Sequence, residues 1–158
     1  MPGPSQAATQ TPTSKAFVFA GDFGSMPAAR DSVMGFIRPH CSSEAEEIDI
    51  FLALQEALAN AILHGCRGSA ARTVHCEVEI GPSAFTIVVR DSGAGFDPQV
   101  ATHATETGSN LTQHGRGICL MRSLMDEVSY RRGGSEVWMR KQRGMPLSKA
   151  IAGQEGQF

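Results

Sequence analysis

Residues 73–80 alternate apolar and polar side chains, with Val74, Cys76, Val78 and Ile80 on one parity and His75, Glu77 and Glu79 on the other. Residues 84–90 repeat the pattern, with Phe85, Ile87 and Val89 set against Thr86, Val88 and Arg90, and Gly81-Pro82-Ser83 joins the two runs. Successive strand residues point to opposite faces, so these runs predict a sheet with one packed face and one wet face. The short turn predicts that the two strands form an antiparallel hairpin. The buried face then needs a covering layer, and the flanking sequence offers helices for it.

Ala16 to Ala20, AFVFA, is a further strand candidate, and residues 21–26 read as a turn. Pro27 suits the first turn of a helix, which runs to about Arg38 with Val33, Phe36 and Ile37 as its apolar face, and Pro39 stops it. Ser42 or Ser43 caps the next helix, and Ser43 with Glu46 has capping-box spacing. Ile48, Leu52, Leu58 and Ile62 recur at helical spacing, which carries this helix to about His64, with Gly65 placed to end it.

From Asp91 to Gly117 the periodicity breaks. Ile118, Met121, Leu124, Met125 and Val128 then mark another amphipathic helix, and residues 128–132 and 136–141 form a last hairpin across Gly133-Gly134. The sum is a two-layer α/β sandwich of the α+β type: a mostly antiparallel mixed sheet, helices on one face, and a long flexible loop at one edge. The 158 residues suit one domain, over 16–143, between a flexible arm (1–15) and a flexible tail (144–158).

A formal net charge of -2 gives no general basic field for direct nucleic-acid contact. No apolar run approaches the roughly 20 residues of a membrane span, and the arm lacks a signal-peptide apolar stretch. The 4 cysteines (Cys41, Cys66, Cys76 and Cys119) form no CxxC pair, which points to a reducing cytoplasm. His64, Cys66, His75 and Cys76 match no common zinc spacing.

Chemistry concentrates in three places. Glu56, Asn60 and His64 stand at i, i+4 and i+8 on the long helix and share a face. An amide oxygen there is a hard ligand for Mg²⁺, and a carboxylate can deprotonate a hydroxyl. Such a stripe is also common as a solvated helix face. Asp91-Ser92-Gly93-Ala94-Gly95-Phe96-Asp97-Pro98 directly follows a strand. Its acid can accept a hydrogen bond from an exocyclic amine such as that of adenine, and its glycines admit close approach of backbone to a ligand, although DSG is also ordinary turn chemistry. His114-Gly115-Arg116-Gly117-Ile118 opens a helix, where free N–H groups attract phosphate.

Taken in order, these stretches resemble the histidine-kinase-like (GHKL) ATPase superfamily, over about residues 17–141. EALANAILHG, DSGAGFDP and GRGICLMRSLMDEV are similar in detail to its branch of bacterial anti-sigma factor serine/threonine kinases. The chain shows no separate helix pair carrying a phosphoacceptor histidine, unlike an intact sensor histidine kinase.

The resemblance implies ATP and Mg²⁺ as cofactors. It makes Glu56 the base toward a protein hydroxyl, Asn60 the Mg²⁺ ligand, and Asp91 the reader of adenine with Gly93 and Gly95 beside it. Gly115, Arg116 and Gly117 meet the phosphates. Residues 97–114 are long, polar and poor in core-forming side chains, which predicts a lid that is mobile without nucleotide. The implied function is ATP-dependent binding of a sigma factor and phosphorylation of an anti-sigma antagonist, regulating transcription.

Also implied is a homodimer, for which residues 16–20, Phe36 and Ile37 are the candidate surface; the alternative is that these residues close the domain's own core. Some family kinases place an arginine just before the third motif, where this chain has Gln113 and His114. That departure leaves open a non-catalytic, ATP-dependent binding module. A domain detached from a larger regulator is a further alternative.

Overall fold

The computed structural model describes residues 11–93 and 113–144. The sheet has five strands: β1 (Thr13–Ala20), β2 (Thr73–Ile80), β3 (Ala84–Asp91), β4 (Glu127–Arg131) and β5 (Glu136–Gln142). Their order is β1-β2-β3-β5-β4, and every neighbouring pair runs antiparallel. Helices α1 (Met26–Ile37), α2 (Glu44–Asn60) and α3 (Gln113–Leu124) supply the second layer.

The alternation that predicts β2 and β3 sorts their side chains as expected. Val74, Cys76, Val78 and Ile80 of β2, with Phe85, Ile87 and Val89 of β3, are buried against the helices, while Glu77 and Glu79 face out. Two charged residues continue the inward parity. Asp91 follows Val89 at the end of β3, so its side chain turns into the helix layer. Lys141, in phase with Val137 and Met139, is fully buried.

A buried ammonium requires a partner. Lys141 Nζ donates to Asp49 Oδ2 of α2 at 3.2 Å and to the Leu124 carbonyl at the end of α3 at 2.8 Å. This contact ties α2 and α3 to β5.

Ser43 caps α2, its Oγ accepting from Glu46 N–H at 3.1 Å. The return half of the capping box is displaced by one residue, since the Glu46 carboxylate takes the N–H of Ser42 at 2.9 Å and also that of Gly144 at 2.6 Å. The apolar stripe of α2 differs from the predicted one. Ile50, Ala53, Leu54, Ala57 and Leu58 face the core, whereas Ile48 is 47% exposed and Leu52 is half-buried. Small alanines admit the helix close to the sheet, a role that large-residue spacing does not reveal.

After Asn60 the helix widens into a π-turn, Ala61–Cys66, which closes on Arg67 in the left-handed region (φ 53°). Wider turns of this kind frequently mark functional positions.

Three boundaries differ from the sequence expectation. β1 starts at Thr13, inside the stretch read as an arm. α3 starts at Gln113, so Gly115, Arg116 and Gly117 form its opening turns. Val128 belongs to β4 instead of the preceding helix, because the chain leaves α3 at Leu124. Ile37 is fully buried, which removes it from any exposed surface, whereas Phe36 is half-buried and packs edge-on to Phe17. Among the described residues, no helix is long and apolar enough to cross a membrane.

Candidate nucleotide site

The cleft forms where α2 and its π-turn pass over the ends of β3 and β5. Ala57, Asn60 and Ala61 line one wall; Val89, Asp91 and Val137 line the other; Tyr130, Gly134 and Ser135 close one side. Its free space is about 10 Å³, about that of one water. A larger cavity of about 290 Å³ lies over β1, β2 and β3, along Ser14, Lys15, Glu77, Glu79, Thr86 and Val88, and contains none of the sequence-predicted site residues.

Asp91 sits at the floor of the cleft, 8% exposed. Its carboxylate lies directly on Gly65, where an added Cβ would fall 2.0 Å from Asp91 Cγ. Its Oδ1 accepts the Gly93 N–H at 2.8 Å. Gly93 in turn presses on the π-turn, since a Cβ there would come within 2.1 Å of the Gly65 carbonyl oxygen. Neither position has room for a side chain, which explains both glycines. Burial raises the Asp91 carboxyl above its ordinary range, opposed by the Gly93 N–H and by Arg72. The result is a shielded acceptor suited to an exocyclic amine.

Glu56 and Asn60 lie one turn apart on α2, the first half-buried and the second buried. Gly117 of α3 packs onto both: a Cβ there would lie 2.7 Å from Glu56 Oε2 and 3.5 Å from Asn60 Nδ2. Gly117, the fifth residue of α3, therefore brings the first turns of that helix against the carboxylate and carboxamide of α2. Arg116 is exposed at this end. Burial raises the Tyr130 phenol; Arg122 and a hydrogen bond with the Asn60 amide oppose the shift, and Glu56 adds to it.

The structure thus joins Glu56, Asn60 and Gly117 in one cluster, and Asp91, Gly93 and Gly65 in a second at the same cleft. His64 lies in the π-turn with its side chain exposed, its imidazole lowered by partial burial. Gly95 and residues 97–112 of the expected lid lie outside the described residues; Gln113 and His114 are helical.

Sequence reasoning missed Tyr130, Ser135 and the alanines Ala57 and Ala61. Ser135 reaches the cleft because β5 pairs with β3, where Asp91 N–H donates to the Ser135 carbonyl at 2.9 Å. Only knowledge of the strand order would have revealed it.

These residues fit a purine nucleotide in the chemistry of their donors and acceptors and in glycines that leave no room for a Cβ. A family model, the histidine kinase-like ATPase domain, matches residues 19–141. The anti-sigma F factor of Clostridium novyi (strain NT) is 30% identical over 118 residues, which cover 72% of this chain and 82% of the relative. The anti-sigma F factor of Halalkalibacterium halodurans is 32% identical over 128 residues, 78% and 86% of the two chains. The anti-sigma F factor of Bacillus thuringiensis (strain Al Hakam) is 32% identical over 102 residues, 63% and 70%. The family name implies ATP as the ligand, and the chain belongs to the histidine kinase-like ATPase family, with anti-sigma F factors among its relatives.

Proposed function

We propose that this protein is an ATP-dependent anti-sigma factor that grips a sigma factor and phosphorylates a serine or threonine of an antagonist protein. The observation that carries the reading is the contact of Gly117 with Glu56 and Asn60, which packs the first turns of α3 against a carboxylate and a carboxamide. Phosphoryl transfer depends on positioning and charge stabilisation more than on covalent help from the protein. Glu56 takes the proton of the antagonist hydroxyl as its oxygen bonds to the terminal phosphorus of ATP, and ADP departs with the electrons of the broken P–O bond.

The Asn60 amide oxygen holds Mg²⁺, which neutralises phosphate charge when bound. Gly115, Arg116 and Gly117 receive the phosphates, and Asp91 accepts from the adenine amine. Incubation with labelled ATP and the antagonist tests this: label is expected on a serine or threonine of the antagonist, and ATP binding without any transfer contradicts the kinase reading. That second outcome is the binding-module reading, favoured by Gln113 and His114 where some family kinases carry an arginine.

The working form is a homodimer, formed through β1 and α1 in the cytoplasm. β1 is an edge strand, and an unpaired edge is open to a second strand. Val18, on its outer face, is 59% exposed, while Phe17 and Phe19 stack on the opposite face, where Phe17 meets half-buried Phe36. Light scattering at micromolar concentration should give twice the chain mass, and Val18→Lys should shift it toward the monomer. A monomer at all concentrations, with and without ATP, contradicts the dimer.

A further inference from the structure

Arg72 lies in none of the three sequence stretches assigned to the nucleotide, yet from an exposed position it reaches the peptide on which Asp91 rests. Its Nη1 donates to the Gly65 carbonyl at 2.9 Å. That peptide supports the carboxylate of Asp91 on one side and the backbone of Gly93 on the other. Gly65 sits near the end of the π-turn, where carbonyls run out of helical donors.

The arginine works from a fixed base. Its own N–H donates to the Ser69 carbonyl at 3.1 Å, and its carbonyl accepts from Gly21 N–H at 2.8 Å. The next residue grips the other side of the turn: Ser92 N–H donates to the Thr73 carbonyl and Thr73 N–H donates to Ser92 Oγ, both at 3.2 Å. Residues 72 and 73 therefore clamp Gly65 and Ser92, which flank Asp91 in space and in sequence. Burial works against ionisation of Asp91, and the Arg72 charge works for it.

We infer that Arg72 is a positioning residue for base recognition, holding the Gly65 floor so that the Asp91 carboxylate meets the amine of adenine. This rests on the reading that Asp91 recognises adenine. An arginine that only capped the helix end would alter stability and leave the choice between bases untouched.

The test uses the full chain, with Kd for ATP and for GTP measured by calorimetry in Mg²⁺ well below the melting temperature. Arg72→Ala is expected to raise Kd for ATP about tenfold, as for loss of one charge-assisted hydrogen bond, with Kd for GTP little changed. Arg72→Lys, which keeps charge and a donor, should recover most of the ATP preference. Arg72→Gln serves if the alanine variant fails to fold, and should fall between the two.

A proportional loss for both nucleotides, or an unchanged ATP-to-GTP ratio in folded Arg72→Ala or Arg72→Gln, overturns the inference. Equal affinities of the unaltered protein for ATP and GTP overturn the adenine reading itself, so the two failures are distinguishable.

Discussion

Glu56→Ala is expected to slow phosphoryl transfer to the antagonist by about 10²–10⁴-fold, the usual contribution of a positioned general base. That corresponds to roughly 3–5 kcal/mol of barrier. Affinity for ATP should change little, because adenine recognition rests on Asp91 across the cleft. The half-buried position of Glu56 against Gly117 puts its Oε2 beside the start of α3. Removing the carboxylate leaves the amide of Asn60 in place, and an amide is no base. Single-turnover transfer with saturating ATP isolates this effect from binding. Transfer at the unaltered rate would assign the base elsewhere.

Gly93→Ala should be nearly as damaging, but to binding. The new Cβ would fall 2.1 Å from the carbonyl oxygen of Gly65. That neighbour is backbone inside a π-turn held by its own hydrogen bonds, so it cannot swing aside as a long side chain would. Strain of this kind costs about 1–3 kcal/mol. The protein can relieve it by lifting the Asp91–Gly93 turn off Gly65, which displaces the carboxylate and weakens ATP binding by about 10–100-fold. It can instead keep the turn and lose the same energy from folding. Calorimetry and thermal melting together capture both routes. Unaltered affinity with unaltered melting would show that the close packing at Gly65 does not matter.

Much of this arrangement was legible from residue order. The parity of Phe85, Ile87 and Val89 carries on to Asp91, so the inward direction of that carboxylate was implicit in the strand pattern. Glu56 and Asn60 share a face by spacing alone, and the structure brings Gly117 onto that face.

What stayed hidden depends on contacts between segments far apart in sequence. Lys141 reads as a surface lysine at a strand end until Asp49 and the end of α3 are placed around it. Ser135 and Tyr130 enter the cleft through the pairing order β3-β5-β4, which no local pattern encodes. The core stripe of α2 was misplaced toward Ile48 because size and spacing favour it, while close helix–sheet approach selects the alanines. Arg72 sits in a loop whose composition is unremarkable, and its role appears only when Gly65 and Asp91 are seen in contact.

The central claim is that Asp91 reads adenine from this cleft, and titration of the protein and of Asp91→Asn with Mg²⁺-ATP tests it most directly. The ionised carboxylate is an acceptor only, whereas the amide offers a donor toward the same amine. Burial places the Asp91 carboxyl above the ordinary value of 3.8. As pH falls through that raised value the ionised form is lost, so ATP affinity should decline on acidification before ordinary aspartates titrate. At neutral pH, Asp91→Asn should bind ATP about 10–100-fold more weakly, as for a lost charged hydrogen bond, and its affinity should no longer follow this titration. An Asp91→Asn protein that binds ATP as tightly as the unaltered chain would contradict the account.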